Sequence, residues 1–507
     1  MFRVTIITFF VSYCVSLFSQ PIYSRVFEAR KKNVPLAIIN NHKNYFYLLR
    51  YNKAAHDITI ERRAKPSAEI LSFTPLKLDS LNADWFDYEK LDHLFFEHNY
   101  HTYFLFERVL NSKKTIYLKI SDTLGRSSGF IELASIEKEI GVIEVNFEFK
   151  RAENGNLLLI ASQLYGNSVI KKTCLLFNID KRKIIWAKKL PIENPFTGYS
   201  TAFESNKNNE LFYVMIKSHV SSYTRKYLNQ TQVMMPVFFY DSLTLVSFLS
   251  ANKNNIKAKL AISNLSALSS IRLIPIDQEI SVVAHFSKKG NNETLTPYFL
   301  NQKFSTDLTQ EFYANILSMD TALIDRLTFY DGSDHNSASE KEYKYLNKFQ
   351  NETIDYQISE RKDDYYYKEL FVWKNDLQTG KIFHQKIIPR KVFSFKGRTR
   401  FKNIGTAMPF FYDKSLAILV LESPLNFNNE PGNFEYHHFK KETNLWRANI
   451  VMYKIAADGS LKKKLIYRNA NFDAVPINYQ TNEQKDLVLY LNNGKSEKFL
   501  ILKLDQL

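Results

Sequence analysis

The sequence contains only two cysteines among its 507 residues, Cys14 and Cys174. Cys14 lies in a segment that we expect to be removed, so the mature chain would keep Cys174 alone. A single thiol cannot form an intramolecular disulfide, which excludes the small cystine-braced domains common among exported proteins. The fold must therefore be stabilised by its core, and a hydrophobic content of 45% is ordinary for a globular protein.

Long apolar runs are also scarce. The run at residues 4–18 follows the single cation Arg3 and precedes the small residue Ser19, which is the pattern of a secretory signal peptide. We predict a signal peptide over residues 1–19, with a signal anchor or a lipoprotein processed at Cys14 as alternatives. No later segment is long enough for a transmembrane helix, which needs roughly 18 apolar residues. We therefore expect no membrane span after cleavage, and a secreted or periplasmic location at the cell envelope.

Linear catalytic motifs are missing as well. The sequence has no H-E-x-x-H zinc site and no S-x-D-x-G-x-x-W box of the sialidase type. The segment Gly198-Tyr199-Ser200-Thr201-Ala202 lacks the closing glycine of a nucleophile elbow. These absences favour a non-enzymatic protein without a cofactor. A site assembled from distant strands would leave no linear motif, so an enzyme remains an alternative.

Acidic residues are outnumbered, because 68 Lys and Arg against 52 Asp and Glu give a formal net charge of +16. Such a charge suits polyanionic partners, including acidic polysaccharides and anionic surfaces. The basic triplets Lys181-Arg182-Lys183 and Lys462-Lys463-Lys464 fall in or beside predicted hairpin turns, where lysines keep strand edges from pairing. We interpret them mainly as solvated edges, with anion binding as the alternative. Nucleic acid is not expected as a partner of an exported chain.

The sequence does contain a β-hairpin pattern that recurs roughly every 60 to 80 residues. Its segments are short, rich in β-formers and bounded by polar turns. Asn154-Gly155, Asp458-Gly459 and Asn493-Gly494 supply the positive φ angles that tight hairpins require. Seven outer hairpins are predicted, at residues 57–76, 115–135, 174–191, 236–250, 297–315, 369–389 and 450–467.

This spacing predicts an all-β fold, a β-propeller, formed by a single domain over residues 20–507. Seven blades is the natural count; six or eight blades, or a pair of β-sandwiches, remain open. A last pair of strands, at 487–491 and 499–504, is expected to complete the first blade beside residues 35–40. Strands from both termini would then close the ring and remove its exposed edge.

Three stretches interrupt the hairpin pattern. Apolar residues at helical spacing predict short helical insertions near 82–100 and near 338–350, the second within a long polar loop over 331–367. The third stretch, 424–444, is irregular. Long insertions in repeat arrays usually decorate one face and often carry the binding function.

Two sets of candidate site residues follow. On the predicted helix near 82–100, His93, Glu97 and His101 are spaced four apart, so they would share one face and could ligate a metal ion. Aromatic residues in the two C-terminal insertions could stack on sugars or contact a protein partner. Exposed histidines at a helix end, and aromatics enriched by AT-rich coding, are the plainer explanations. The candidate binding residues are Tyr365, Tyr366, Tyr367, Tyr436, His437, His438 and Trp446.

The segment Asp376-Leu377-Gln378-Thr379-Gly380-Lys381 resembles the D-x-x-T-G-K turn of quinoprotein-type propeller repeats, and residues 178–186 are similar and end on Trp186. His384 stands where the first copy would have tryptophan. The resemblance implies a turn built by the acid and the glycine, an aromatic packed between blades, and no cofactor residues. The whole chain is also similar in style to uncharacterised exported proteins of AT-rich Gram-negative bacteria.

The sequence as a whole favours an exported, non-enzymatic propeller that acts as a scaffold or as a protein- or glycan-binding module at the cell envelope. The alternative is a hydrolase that cleaves glycans or lactones at a site assembled in the central channel. A third hypothesis is a basic surface that docks on acidic polysaccharide and is sensitive to salt. The oligomeric state is left open.

Overall fold

A computed structural model describes most of the chain as β-strands. The residues that it describes are 22–23, 27–28, 33–52, 57–76, 95–98, 101–110, 113–122, 130–137, 144–152, 155–165, 168–191, 202–228, 231–248, 255–289, 295–318, 342–350, 354–362, 366–388, 392–393, 407–412, 415–422, 449–456, 458–468, 475–481, 486–492 and 496–504. Within these ranges there is no α-helix, and hence none that could cross a lipid bilayer.

The strands form eight antiparallel sheets, which we number as blades 1–8. The chain begins with two short strands, β1 (Ile22–Tyr23) and β2 (Phe27–Glu28), which precede blade 1. The strands of the first four blades are, in blade 1, β3 (Asn33–Asn41), β4 (Tyr45–Asn52), β5 (Asp57–Ala64) and β6 (Ile70–Leu76); in blade 2, β7 (Phe95–His98), β8 (His101–Leu110), β9 (Lys113–Asp122) and β10 (Ile131–Glu137); in blade 3, β11 (Glu144–Arg151), β12 (Leu157–Tyr165), β13 (Ser168–Asn178) and β14 (Lys183–Leu190); and in blade 4, β15 (Phe203–Ser205), β16 (Leu211–Leu228), β17 (Thr231–Phe248) and β18 (Ile256–Leu265). The strands of the last four blades are, in blade 5, β19 (Ala267–Ile276), β20 (Glu279–Lys289), β21 (Leu295–Ser305) and β22 (Glu311–Ser318); in blade 6, β23 (Glu342–Gln350), β24 (Ile354–Lys362), β25 (Tyr366–Asp376), β26 (Ile382–Ile388) and β27 (Val392–Phe393); in blade 7, β28 (Met408–Tyr412), β29 (Ser415–Glu422), β30 (Asn449–Ile455) and β31 (Leu461–Tyr467); and in blade 8, β32 (Val475–Thr481), β33 (Asp486–Asn492) and β34 (Ser496–Lys503).

Consecutive strands are neighbours in every blade, so that blade 1 has the order β3-β4-β5-β6. The first strands of successive blades contact each other: β3 contacts β7 and β32, and β19 contacts β15 and β23. Blade 8 takes its outer strands from the N-terminus, because β1 and β2 both pair with β34. Sheets arranged radially around an axis form a β-propeller, which confirms the expected fold class. Eight blades was one of the alternatives left open, and the count of seven is not confirmed.

The difference in blade number arises where the chain ends meet. The segment 35–40, predicted to pair with the last two strands, lies instead in β3, the first strand of blade 1. Strands β33 and β34 belong to a blade of their own, which β32 and the short strands β1 and β2 complete. Strands β1 and β2 are only two residues long, and no tight-turn motif precedes β32. None of these three strands is therefore easy to recognise from the sequence.

The predicted helical insertions are wrong wherever the structure describes them. Residues 95–98 form β7 and residues 342–350 form β23. Each is hydrogen-bonded to the next strand of its blade, with Phe95 opposite Phe104 and Phe349 opposite Tyr356. Apolar spacing in short segments does not separate helix from strand, and sheet pairing decided the outcome here. Residues 82–94 and 338–341 lie outside the described residues.

The core lies between neighbouring blades. Side chains of the second and third strands pack against the next blade, as Phe212 and Leu245 of blade 4 do with Leu273 and Phe286 of blade 5. Strand β29 is buried along its whole length. Cys174 is buried in the cluster between blades 3 and 4, and burial raises the pKa of its thiol. The thiol therefore acts as a small apolar core group.

The short turns have the chemistry that the sequence predicted. Gly155 and Gly459 adopt φ angles of 80° and 83°; Gly494 lies outside the described residues. In the turn between β25 and β26, Oδ1 of Asp376 accepts hydrogen bonds from the backbone N–H groups of Gln378, at 2.7 Å, and Thr379, at 3.1 Å. The glycine of this turn, Gly380, has a φ of 72°. The acid and the glycine thus build the turn.

Candidate functional site

The two faces of the ring differ in the length of their connections. Because neighbouring strands are antiparallel, the first-to-second and third-to-fourth connections of the blades lie at one face, and the second-to-third and blade-to-blade connections lie at the other. At the first face the longest connection is 123–130. We call the two faces the short-turn face and the long-connection face. The long connections are 77–94, 191–202, 319–341, 394–407 and 423–448.

The predicted aromatic binding residues fall in or beside two connections of the long-connection face, 363–365 and 423–448. Tyr365 lies outside the described residues, between β24 and β25, and Tyr366 and Tyr367 open β25, where only their backbone is described. Strands β29 and β30 end at the same face and flank 423–448. That connection contains four further candidates, all outside the described residues: Tyr436, His437, His438 and Trp446. The described strand ends that flank both sets thus lie at one face, and binding by these residues stays a prediction.

The proposed metal ligands do not share a helix. His93 lies outside the described residues, Glu97 is in β7, and His101 opens β8. The backbones of β7 and β8 pair as a hairpin, with Glu97 opposite Thr102. Within the described ranges, no group of three or more His, Cys, Asp and Glu side chains is arranged to hold a metal ion. The spacing argument for a metal site therefore loses its structural basis at Glu97 and His101.

An unpredicted feature of the long-connection face is the hairpin formed by β16 and β17. Each strand has 18 residues, whereas the second strands of the other blades have 7 to 11. Strand β15 pairs only with the first residues of β16, and β18 pairs with β17 only as far as Tyr240. From Ser222 to Leu228 and from Thr231 to Phe239, the two strands pair with each other alone among the described strands. We call this projecting part of blade 4 the arm.

A polar contact between His219 and Asp241 lies at the base of the arm. His219 Nδ1 lies 2.9 Å from Asp241 Oδ1, and the rings of His219 and Phe239 are 5.3 Å apart. Next along the arm, the side chain of Tyr223 is 60% exposed. No Asp or Glu occurs between residues 211 and 240, while Arg225 and Lys226 lie near the tip. The arm is thus a basic, acid-free ribbon with an exposed aromatic ring.

Sequence reasoning missed the arm because it placed a hairpin at 236–250. Strand β17 instead runs without a turn through Pro236 and Asp241 as far as Phe248. Proline is tolerated there because β17 pairs with β16 alone among the described strands and is therefore an edge strand in the arm. The signal that could have identified the arm is the thirty-residue stretch without acid or glycine from 211 to 240, interrupted only by Asn229-Gln230.

The most heavily charged buried cluster joins blade 1 to blade 8, where the ring closes. Arg50 Nε lies 2.9 Å from Glu61 Oε2, and Arg50 Nη2 lies 2.6 Å from Glu497 Oε1. Arg63 Nη2 lies 2.6 Å from the same oxygen of Glu61. The hydroxyl of Tyr490 donates to Glu497 Oε2 at 2.9 Å. We call these five residues the closure cluster.

The charges of the closure cluster balance, with two guanidinium groups against two carboxylates. Burial alone would raise the pKa of Glu61, but Arg50 and Arg63 outweigh it and the pKa lies below its ordinary value. The carboxylate is therefore charged, and its Oε2 contacts both guanidinium groups, which suits a structural pair and not a proton donor. At the rim of the same interface, Lys65 Nζ lies 2.9 Å from Asp486 Oδ2.

Lysines between blades 3 and 4 follow a regular arrangement. Each of three strands of blade 3 places an ammonium group over an aromatic ring of blade 4, at 5.2 to 5.8 Å from the ring centroid. The pairs are Lys150 with Phe203, Lys172 with Tyr213, and Lys188 with Phe248. On the same interface, Trp186 Nε1 donates to the carbonyl of Asn209 at 2.8 Å. Part of the excess positive charge thus serves packing between blades.

Glu422 is the buried carboxyl group that looks most like a catalytic acid. Burial raises its pKa, against the opposing effects of Lys463 and Tyr453. Lys463 Nζ lies 2.8 Å away and the Tyr453 hydroxyl donates at 2.9 Å. Both partners belong to the same blade, so the three side chains form a closed group within blade 7. A glycosidase needs a second carboxyl group about 5 to 9.5 Å from the first, and the polar partners of Glu422 are instead a lysine and a tyrosine.

Comparison with other proteins gives no family. The sequence matches no protein-family profile and no curated protein. Among solved structures, the polysaccharide lyase Uly1 is 10% identical and has a TM-score of 0.35, with 68% of this chain and 78% of that chain covered. The β-propeller domain of Nup133 from Vanderwaltozyma polyspora is 12% identical, with a TM-score of 0.32 and 80% and 98% coverage. A xylan β-1,4-xylosidase from Bacillus halodurans is 8% identical, with a TM-score of 0.24 and 94% and 91% coverage. Likenesses at this level carry no argument about function.

Proposed function

We propose that the chain is an exported, non-enzymatic β-propeller that binds a protein or glycan at the cell envelope through its long-connection face. The observation that carries the proposal is the asymmetry of the ring. The arm lies on the long-connection face, as do the strand ends that flank 423–448, the one long connection that contains predicted aromatic residues, whereas the longest connection of the other face is 123–130.

The chemistry of the described charged groups supports binding over catalysis. The carboxylates of the closure cluster and of blade 7 are engaged by arginine, lysine and tyrosine partners within the fold. Charged side chains that are paired in this way stabilise the contacts within and between blades. The exposed ring of Tyr223 is, by contrast, a group that can stack on a sugar or pack on a protein.

The proposal is tested by trimming the arm. Residues 220–238 are replaced by Asn-Gly, so that His219 and Phe239, which already face each other, flank a two-residue hairpin turn. Binding is measured by biolayer interferometry to immobilised peptidoglycan, outer-membrane vesicles, polygalacturonate and xylan. We expect the intact chain to bind at least one of these probes and the trimmed chain to lose at least about tenfold in affinity, or about 1.4 kcal/mol.

The control is Lys462→Glu with Lys464→Glu, two exposed lysines on the outer strand of blade 7. It removes positive charge from an edge strand and leaves the arm intact, so it should bind as the intact chain does. Equal binding by the intact and trimmed chains would contradict the proposal. Release of new reducing ends from a probe would also contradict it, most directly if Glu422→Gln abolished that release.

A further inference from the structure

Exposed large apolar side chains are concentrated on two outermost strands. In the described ranges ten such residues are exposed, and six of them belong to β6 or β22. On β6 they are Ile70, Leu71 and Phe73, and on β22 they are Phe312, Ile316 and Leu317. Exposed apolar residues scattered singly are ordinary, but three on one edge strand mark a surface for association.

These two strands also lack the charges that protect other edges. Strands β14 and β31 carry three lysines each, whereas β6 has no charged residue and β22 has only Glu311 at its start. Both β6 and β22 are the fourth strands of their blades, and no described strand pairs with their outer edges. An uncharged apolar edge strand is a template for pairing with another strand.

The positions of the two strands indicate what pairs with them. Strand β6 belongs to blade 1 and β22 to blade 5, so in a ring of eight blades they lie on opposite sides. Two copies of a chain with a net charge of +16 repel each other wherever lysine edges meet. They can approach through edges without lysine, and among the fourth strands these are β6 and β22, which carry the exposed apolar residues, and β10, which carries two glutamates. An anionic partner would be drawn to the lysine edges instead.

We propose that copies of this chain associate edge to edge, with β6 of one copy pairing with β22 of the next. The contact joins two different surfaces on opposite sides of the ring, so it does not close and generates linear chains of propellers. Pro75 has no N–H and therefore contributes no donor to a ladder on β6. Strand β22 contains no proline and offers its whole length.

The test uses two variants of the full mature chain, each with lysines on one edge. Leu71→Lys with Phe73→Lys blocks β6, and Phe312→Lys with Ile316→Lys blocks β22. All four side chains are exposed, so both variants should keep the far-UV circular dichroism and the thermal midpoint of the unaltered chain. The matched control, Ile184→Lys with Ile185→Lys, places lysines on β14, where exposed apolar residues already lie among lysines.

Mass is measured by light scattering and sedimentation velocity from micromolar to submillimolar concentration. We expect the unaltered chain and the β14 control to grow in mass with concentration, and each blocked variant to remain a monomer. An equimolar mixture of the two blocked variants should form a dimer and stop there, because one contributes an intact β22 and the other an intact β6.

Three results would overturn the proposal. One is a monomeric unaltered chain at every concentration, including the case where amide exchange shows β6 and β22 protected by the chain's own connections. Another is dimerisation of either blocked variant alone, since that indicates pairing of like edges. The third is a mixture of blocked variants that stays monomeric.

Discussion

At the scale of single residues, the fold depends on charged side chains that are buried in pairs. Removing water from a charge is costly, and the cost is offset only when the partner and its geometry are good. In the closure cluster every charge has a partner within 2.9 Å. Blade 8 contains strands from both ends of the chain, since β1 and β2 pair with β34, and the cluster attaches that blade to blade 1. Its loss should therefore weaken the ring beside the blade that is completed by strand pairing alone.

The first prediction at this scale concerns Glu497. Glu497→Gln keeps the shape of the side chain but leaves two arginines facing one carboxylate in a dry interface. We expect a loss of about 3 to 5 kcal/mol in the free energy of unfolding, measured with urea. Glu132→Gln changes an exposed carboxylate on β10 and should cost no more than about 0.5 kcal/mol. Equal losses in the two variants would contradict a structural role for the cluster.

The second prediction concerns acid. The pKa of Glu61 is lowered in the folded chain from its ordinary value of 4.5. Its contribution to stability is therefore complete above that pH and is lost as pH falls through the lower folded value. We expect the urea midpoint to drop below about pH 4.5 and the drop to be shallower in Glu61→Gln. A variant that follows the same acid curve as the unaltered chain would show that Glu61 does not contribute.

At the scale of elements, turns at the short-turn face also fix the contact between blades. The carbonyl of Gly380 accepts hydrogen bonds from the side-chain amides of Asn301, at 3.4 Å, and Asn315, at 3.1 Å, both in blade 5. The hydroxyl of Tyr313 donates to the carbonyl of Leu377 at 3.1 Å. The turn between β25 and β26 is therefore part of the interface between blades 5 and 6 as well as a reversal of the chain.

The prediction at this scale compares two glycines with similar backbone angles. A Cβ on Gly380 would overlap the ring of Tyr313, whereas a Cβ on Gly155 would meet nothing within 4 Å. Both alanine variants incur the strain of positive φ, about 1 to 2 kcal/mol. Gly380→Ala should cost about 1 to 3 kcal/mol more, because Tyr313 must move. The difference between the two thermal midpoints isolates the contact between blades, and equal midpoints would argue against it.

At the scale of the whole molecule, the sequence predicted the architecture better than the site. Hairpin spacing led to a propeller because outer strands have strong patterns: six of the seven predicted hairpins match the third and fourth strands of blades 1, 2, 3, 5, 6 and 7. The inner strands β7 and β23 were mistaken for helices, since a few apolar residues fit both periods. The arm and the closure cluster were missed because they depend on contacts between residues that are far apart in sequence, such as Arg50 and Glu497.

The claim on which the account depends most is that strands from the two ends of the chain close the ring. Ile22 in β1 lies opposite Ile501 in β34. The decisive measurement is disulfide formation, read by mass spectrometry of the monomer, in a mature chain carrying Ile22→Cys and Ile501→Cys. The account predicts an intramolecular bond that raises the thermal midpoint, while Ile22→Cys alone stays reduced. A chain that forms this bond only between molecules, or not at all, would contradict a closed ring.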